Sequence, residues 1–142
     1  MLVDQLKVTQ ADAFTLYLKA HFYHWNIEGF QFPYLHEFLQ NFYEDVFSSV
    51  DTIAELVRTL DSYAPGTLSR FKELTSIEES ETIPDAKTMI SNINKENLMM
   101  LASLTKSYDL ATKENEIGIA NFLQDRIQAH EKHGWMLRSI LK

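Results

Sequence analysis

The sequence has no cysteine, and only four glycines and three prolines occur among its 142 residues. Without cysteine, disulfide bonds, thiolate zinc sites and cysteine nucleophiles are excluded. Basic residues are also few: 13 Lys and Arg stand against 20 Asp and Glu, which gives a net charge of −7. Such a surface does not attract nucleic acid or anionic lipid through its overall field. No apolar run approaches the roughly 18 residues of a membrane span, so we expect a soluble, cytoplasmic protein.

What the sequence does contain is typical of one folded domain over residues 1–142. Hydrophobic residues make up 45% of the chain and charged residues 23%, which is ordinary globular composition. Turn-forming residues gather at three places: Gly29 with Pro33, Pro65 with Gly66, and Pro84. The stretches between them are rich in good helix formers, and no alternating apolar pattern indicates a sheet.

The spacing of apolar residues predicts four long amphipathic helices. They cover residues 9–28 and 33–61, then run from just after Pro84 to 112 with Asp85 as N-cap, and finally from 114 to 141. The connector, 62–84, contains one short helix within 67–74. This pattern predicts an all-α four-helix bundle. The long crossover favours second and third helices that run parallel.

An apolar face is predicted for each long helix, as the first and third helices show. In the first helix the stripe is Phe14, Leu18, His21 and Trp25, and Gly29 is expected to end that helix at its C-cap. The third helix should bury an apolar side made of Met89, Ile93, Leu98, Leu101, Leu104 and Tyr108.

Histidines are the first candidate metal ligands, since His with Asp or Glu on bundle helices can hold iron or manganese. There are five: His21, His24, His36, His130 and His133. Conventional di-iron bundles place a Glu three residues before such a His. The residues at that position here are Leu18, His21, Pro33, Ile127 and His130. An ordinary site inside the bundle is therefore absent, and a metal site must be built differently.

The geometry of the second helix indicates how. A short turn separates His24 from His36, so both can lie at one end of the bundle. Asp51 and Glu55 share a face of the second helix, but Asp51 follows His36 by 15 residues, or about 22 Å along a helix. The two cannot bind one metal within one chain. They can when a second copy packs its second helix antiparallel across a two-fold axis, which would create two identical sites per dimer.

These residues lie in a segment that resembles the signature region of the Dps (DNA-protection-during-starvation) family of mini-ferritins. The family pattern is His-Trp-Asn, a Gly, Phe-x-x-Leu-His and Asp-x-x-Ala-Glu. It corresponds here to His24-Trp25-Asn26, Gly29, 32–36 and 51–55. The crossover around 65–68 and the stretch 131–138 are also similar to the family, so the resemblance covers nearly the whole chain.

The resemblance implies a ferritin-like bundle, twelve copies of which form a hollow dodecamer. Such shells oxidise ferrous iron with hydrogen peroxide or dioxygen and store a ferric mineral. A two-iron ferroxidase centre is implied at each two-fold interface, with His24 and His36 from one subunit and Asp51 and Glu55 from its partner. Trp25 would lie beside the centre and quench radical by-products.

Gln40 departs from the family pattern, which usually has an aspartate four residues after the second histidine. An uncharged amide should weaken the second iron most and reduce ferroxidase activity. Glu44 and Asp45 are nearby acids, but only Glu44 shares the face of Gln40. The alternative function is therefore a structural or nucleoid-associated shell with vestigial iron oxidation. Direct DNA contact is not expected, given the charge of −7 and the lack of a lysine-rich arm.

Other interpretations remain open. His21 is either an extra ligand or a polar interface residue, and His130 and His133 with Glu131 either form a second metal site or pack in the bundle. The resemblance also implies three-fold iron-access pores lined by acids. The candidates are Glu114, Glu116 and Asp125, while Asn115 and Asn121 stand where relatives often have acids. The alternative for these acids is a solvated helix start, stabilised by the helix dipole.

Overall fold

The computed structural model describes all 142 residues and contains five α-helices and no strand. The helices are α1 (Leu2–Asn26), α2 (Phe32–Thr59), α3 (Leu68–Leu74), α4 (Ala86–Lys113) and α5 (Ile117–Leu141). The predicted all-α bundle is confirmed, with α3 as the short helix of the crossover. No helix combines the length and the hydropathy needed to cross a membrane.

Cross-helix hydrogen bonds give the direction of each helix. Gln5 Nε2 donates to Ser103 Oγ at 3.3 Å, whereas Asn92 Nδ2 donates to Tyr23 Oη at 3.0 Å. The start of α1 thus meets the later part of α4 and its end meets the earlier part, so the two are antiparallel. Helix α2 folds back on α1 through the short turn, which makes α2 and α4 parallel, as the length of the crossover predicts.

The core is one cluster of 23 buried hydrophobic residues. The α1 face that enters it was not the one predicted from sequence. Phe14, Leu18 and His21 are only partly buried, and Trp25 is exposed. The true core face holds Leu2, Leu6, Ala13, Leu16, Ala20 and Tyr23. Its small alanines let α1 and its neighbours approach closely, and they carry a weaker sequence signal than the outer aromatic rings. The prediction was also wrong for Leu98 of α4, which is 54% exposed.

Helix α1 begins at Leu2 rather than at residue 9. Leu2 and Leu6 are fully buried, so the first turns add to the core. The backbone amide of Leu2 has no partner within its own helix. It donates instead at 2.9 Å to Oε2 of Glu114, a residue 112 positions further along the chain. Glu114 is the C-cap of α4, and α5 begins at Ile117 rather than at 114.

Two helices end on left-handed residues that are not glycine. Asn115 has φ 61° and Asp61 has φ 59°. At the end of α4, Glu116 N donates to Ala111 O at 2.8 Å and Asn115 N to Thr112 O at 3.1 Å, the pattern of a Schellman motif. Asp61 ends α2 in the same way, so α2 stops at Thr59. Asn and Asp tolerate this conformation better than other side chains.

The predicted C-cap at Gly29 was wrong in position. Helix α1 ends at Asn26 with an extended Ile27 as its cap, and Gly29 uses φ 122° later in the turn. Pro33 lies in the first turn of α2, as predicted. The predicted N-cap of α4 is confirmed, because Asp85 accepts a hydrogen bond from Thr88 N at 2.8 Å.

Candidate metal centre

The turn between α1 and α2 brings His24 and His36 face to face. Their rings stack with centroids 3.7 Å apart and planes 16° apart. Each Nδ1 lies 2.8 Å from the backbone carbonyl oxygen of the other residue. A carbonyl only accepts, so both Nδ1 atoms carry a proton, and Nε2 is the ring nitrogen left to offer a lone pair to a metal. The backbone thus fixes the tautomer that a metal needs and orients both rings. We call this pair the histidine half-site.

Asp51 and Glu55 form a second pair on the exposed face of α2, and we call them the carboxylate half-site. The Asp51 side chain, through hydrogen bonding and then through its negative charge, raises the pKa of Glu55. Neither group forms an ion pair within the chain. Two adjacent carboxylates without a cationic partner repel each other, and a bound divalent cation would relieve that repulsion.

The structure brings together His24 with His36 and Asp51 with Glu55, but it does not bring one pair to the other. No group of three His, Asp or Glu side chains within the chain could hold a metal ion. The histidine half-site lies where α1 ends and α2 begins, whereas the carboxylate half-site lies in the later part of α2. A complete His-and-carboxylate site therefore requires a second copy of the chain.

Gln40 lies one turn after His36 and is exposed. Its Nε2 donates to Glu44 Oε1 at 3.0 Å, which leaves the amide oxygen without a protein partner. Asp45 is engaged elsewhere, because Arg126 donates to both its carboxylate oxygens at 3.0 and 2.9 Å. Glu44 is thus the acid next to Gln40, as helical spacing predicts.

His21 and Trp25 belong to a cluster of rings beside the histidine half-site. The His21 ring lies 3.8 Å from that of Trp25 and 4.0 Å from that of Tyr43, and Tyr17 Oη lies 3.1 Å from His21 Nδ1. Burial, and then the neighbouring His24, lowers the pKa of His21. We call Tyr17, His21, Trp25 and Tyr43 the aromatic cluster. Sequence reasoning gave no role to Tyr17 or Tyr43, although Tyr17, His21 and Trp25 follow each other at four-residue spacing.

A second metal site on α5, one of the two alternatives for His130 and His133, is not formed. His130 is fully buried, and its two ring nitrogens are occupied: Nδ1 donates to Asn97 Oδ1 at 2.8 Å, and Nε2 accepts from Arg126 at 3.0 Å. His133 Nε2 lies 2.7 Å from Asp45 Oδ2. The two histidines thus join a buried polar network between α2, α4 and α5, as the packing alternative predicted.

The charges in this network favour a structural role for His130 and Asp45 rather than metal binding. Burial, with Arg126 and His133 nearby, lowers the pKa of His130 to about 3, so its ring is neutral. Burial alone would raise the pKa of Asp45, but hydrogen bonds from His133 and Arg126 outweigh it and hold that pKa well below its usual range. Sequence reasoning missed Arg126, whose partner lies 81 residues away.

The suggested pore acids are not equivalent. Glu114 accepts the hydrogen bond from Leu2 N and so serves the fold. Asn115 occupies the left-handed position at the end of α4, which gives a conformational reason for an amide there. Glu116 is the N-cap of α5, and Asp125 is exposed on that helix. These two remain the candidates for a carboxylate-lined pore.

Comparison with known proteins shows which family the chain resembles. The family model of the ferritin-like domain matches residues 3–142. DNA protection during starvation protein 2 of Bacillus anthracis is 31% identical over 139 residues, which cover 98% of this chain and 95% of the relative. Dps from Thermosynechococcus elongatus is 26% identical with a TM-score of 0.96, over 99% of this chain and 90% of that structure. Dps from Vibrio cholerae, described as a member of a superfamily of ferritin-like diiron-carboxylate proteins, is also 26% identical, with a TM-score of 0.95 over 99% and 89%.

Proposed function

Because the chain belongs to the ferritin-like family and, within it, to the Dps proteins, we propose that twelve copies form a hollow shell that oxidises ferrous iron and stores the ferric product. The observation that carries this proposal is the histidine half-site. Reciprocal backbone hydrogen bonds hold two imidazoles through Nδ1 and leave their Nε2 atoms without a protein partner. The carboxylates that would complete such a site are exposed on the same helix, out of reach of the same chain.

A second copy completes the site when the two α2 helices pack antiparallel across a two-fold axis. His24 and His36 then face the partner's carboxylate half-site, and the same contact repeats by symmetry. Large apolar side chains are exposed on α1 and α2, as expected for a surface that another subunit covers. They are Trp25 (60%), Tyr34 (77%) and Phe47 (51%).

The side chains fit ferrous iron as a substrate. Imidazole nitrogen and carboxylate oxygen together form a ligand set that suits this metal. Two carboxylates also favour oxidation, because their negative charge stabilises Fe(III) more than Fe(II). With hydrogen peroxide, two ferrous ions each lose one electron, and the peroxide takes up both electrons and two protons to give two waters. The removal of iron and peroxide protects DNA in the cytoplasm without direct contact.

Gln40 supports a second candidate function, a structural or nucleoid-associated shell with weak iron chemistry. The two candidates differ in one measurable quantity, the rate of ferrous iron oxidation. His36→Ala and Glu55→Ala should each abolish it while light scattering still finds an assembled shell, since neither residue is in the core. Glu37→Ala is the matched control, because Glu37 is an exposed acid of α2 outside both half-sites.

Mixed shells test the shared site directly. A dimer of one His36→Ala copy and one Glu55→Ala copy contains one intact site and one doubly damaged site. Random co-assembly should therefore restore roughly a quarter of the parent sites, and ferric absorbance should recover in proportion. A stable monomer, or mixed shells as inactive as either variant alone, would contradict the proposed assembly. Parent rates in both single variants would place the iron chemistry elsewhere.

A further inference from the structure

The aromatic cluster connects a tyrosine to the histidine half-site by continuous ring contacts. Tyr17 Oη lies 3.1 Å from His21 Nδ1. The His21 ring stacks on Tyr43 with centroids 4.0 Å apart, and the Tyr43 ring meets His24 edge-on at 5.3 Å. An electron that leaves Tyr17 thus has a short path to a ring that the proposed function makes an iron ligand.

Tyr17 differs from the other oxidisable side chains of the cluster in one respect. A phenol that loses an electron becomes a strong acid, so oxidation is easy only when a base stands at the hydroxyl to take the proton. Tyr17 has such a base in His21, whereas no side chain of the protein accepts a hydrogen bond from the Tyr43 hydroxyl or the Trp25 indole N–H. Within the cluster, Tyr17 is therefore the side chain built to give up an electron together with a proton.

Gln40 creates a need for such a donor. Hydrogen peroxide is fully reduced by two electrons, but one ferrous ion supplies only one. A site that binds its second iron weakly will often meet peroxide with a single ferrous ion present. If peroxide then takes up one electron alone, it splits into hydroxide and a hydroxyl radical.

We propose that Tyr17 supplies the second electron to peroxide at a half-loaded site, while its phenolic proton passes to His21 Nδ1. The inference rests on the proposed function. The ferrous ion and Tyr17 each lose one electron, and peroxide with two protons from solvent becomes two waters. Tyr17 is left as a neutral phenoxyl radical beside protonated His21. The next ferrous ion to arrive reduces that radical, and His21 returns the proton. Two ferrous ions are consumed per peroxide, as at a fully loaded site, and no hydroxyl radical is released.

The first test needs no iron. Metal-free shells are oxidised by a flash-excited ruthenium complex, and tyrosyl radicals are followed by transient absorption. Tyr34 and Tyr63 are exposed, so both are replaced by Phe in every sample. The parent should form a tyrosyl radical that Tyr17→Phe abolishes and that the control Tyr108→Phe retains, because Tyr108 lies on α4 outside the aromatic cluster. His21→Gln should slow its formation about 100-fold, the size of a lost proton acceptor. An unchanged yield in Tyr17→Phe, or an unchanged rate in His21→Gln, would overturn the pair.

The second test adds one ferrous ion per histidine half-site and then peroxide. Freeze-quench electron paramagnetic resonance should find a tyrosyl radical in the parent and in Tyr108→Phe, and none in Tyr17→Phe. A spin trap should capture more hydroxyl radical from Tyr17→Phe than from the parent. No ferric absorbance in the parent would overturn the proposed function, and the inference with it. Ferric absorbance with a radical that does not depend on Tyr17 would overturn the inference alone.

Discussion

Replacing Gln40 by aspartate should tighten the second iron and accelerate oxidation. In the parent, the Gln40 amide donates to Glu44 at 3.0 Å and brings no charge to the histidine half-site. An aspartate at this position adds one negative charge a single turn from His36. At an effective dielectric near 20, a charge about 4 Å from the metal contributes roughly 4 kcal/mol per unit of metal charge before desolvation is subtracted.

Two effects oppose this gain. Gln40 is exposed, so water screens the added charge. The new carboxylate also loses the hydrogen bond to Glu44 and repels it, which costs about 0.2 to 0.5 kcal/mol for like charges four residues apart on a helix. The repulsion is small beside the attraction to a doubly charged ion. A net remainder of only about 1.4 kcal/mol corresponds to tenfold in affinity, and we expect at least that gain.

Anaerobic calorimetry of ferrous iron binding measures this affinity, and stopped-flow ferric absorbance measures the rate. The parent should bind one tight and one weak iron per site, and Gln40→Asp should bind two with similar affinity. Gln40→Asn is the matched control, since it has the length of aspartate without its charge. Gln40→Asp should also lower the Tyr17 radical yield, because the second iron then supplies the second electron. Two equally tight irons in the parent, unchanged by Gln40→Asp, would show that Glu44 or water already fills this role.

Three further outcomes follow from the buried network and the first helix. The folded pKa of His130, about 3, lies below its ordinary 6.5, so the unfolded chain binds the extra proton. The free energy of unfolding should therefore fall by up to about 1.4 kcal/mol per unit as pH drops from 6.5 towards 3. Urea unfolding at fixed protein concentration should show that His130→Gln loses part of this slope, and an unchanged slope would contradict the assignment. Asp45→Asn leaves the buried Arg126 guanidinium without its anion and should cost about 2 kcal/mol, less than a fully buried pair because Asp45 is partly exposed; a loss within the range of surface substitutions would refute this. Glu114→Ala removes the partner of Leu2 N and should cost about 1 kcal/mol, with faster amide exchange in the first turn of α1 as its local sign.

The fold was predictable because helix formation and apolar burial repeat along the chain. Long periodic stretches gave the four helices, and the length of the crossover gave the direction of α2 and α4. The errors lie where a distant residue decides the outcome. Helix α1 extends back to Leu2 because Leu2 and Leu6 are buried in the core and Glu114 accepts a hydrogen bond from Leu2 N. Helix α2 stops before Asp61 because that residue turns left-handed, which Asp signals far less clearly than Gly.

The candidate site was predictable in its parts and not in its surroundings. The short turn between His24 and His36 makes their meeting a local event, so chain geometry sufficed to bring them together. The tautomer of each ring depends on the carbonyl of the other residue, which no spacing rule contains. Arg126 meets Asp45 only after α2 and α5 have packed. The sequence alone therefore leaves His130 as a possible ligand, although both of its ring nitrogens are hydrogen-bonded in the folded protein.

The separation of the half-sites along α2 makes the proposed iron chemistry depend on assembly. A helix is stiff, so His36 and Asp51 stay apart in any folded state of a single chain. Under the proposed function, oxidation through both groups is therefore a property of assembled copies, and a free subunit would bind iron only through partial ligand sets. Substitutions that weaken the two-fold contact should then lower oxidation as severely as the loss of a ligand, even when they lie far from His24 and Glu55. Co-assembly of His36→Ala with Glu55→Ala separates these two causes, because it restores ligands without altering the contact.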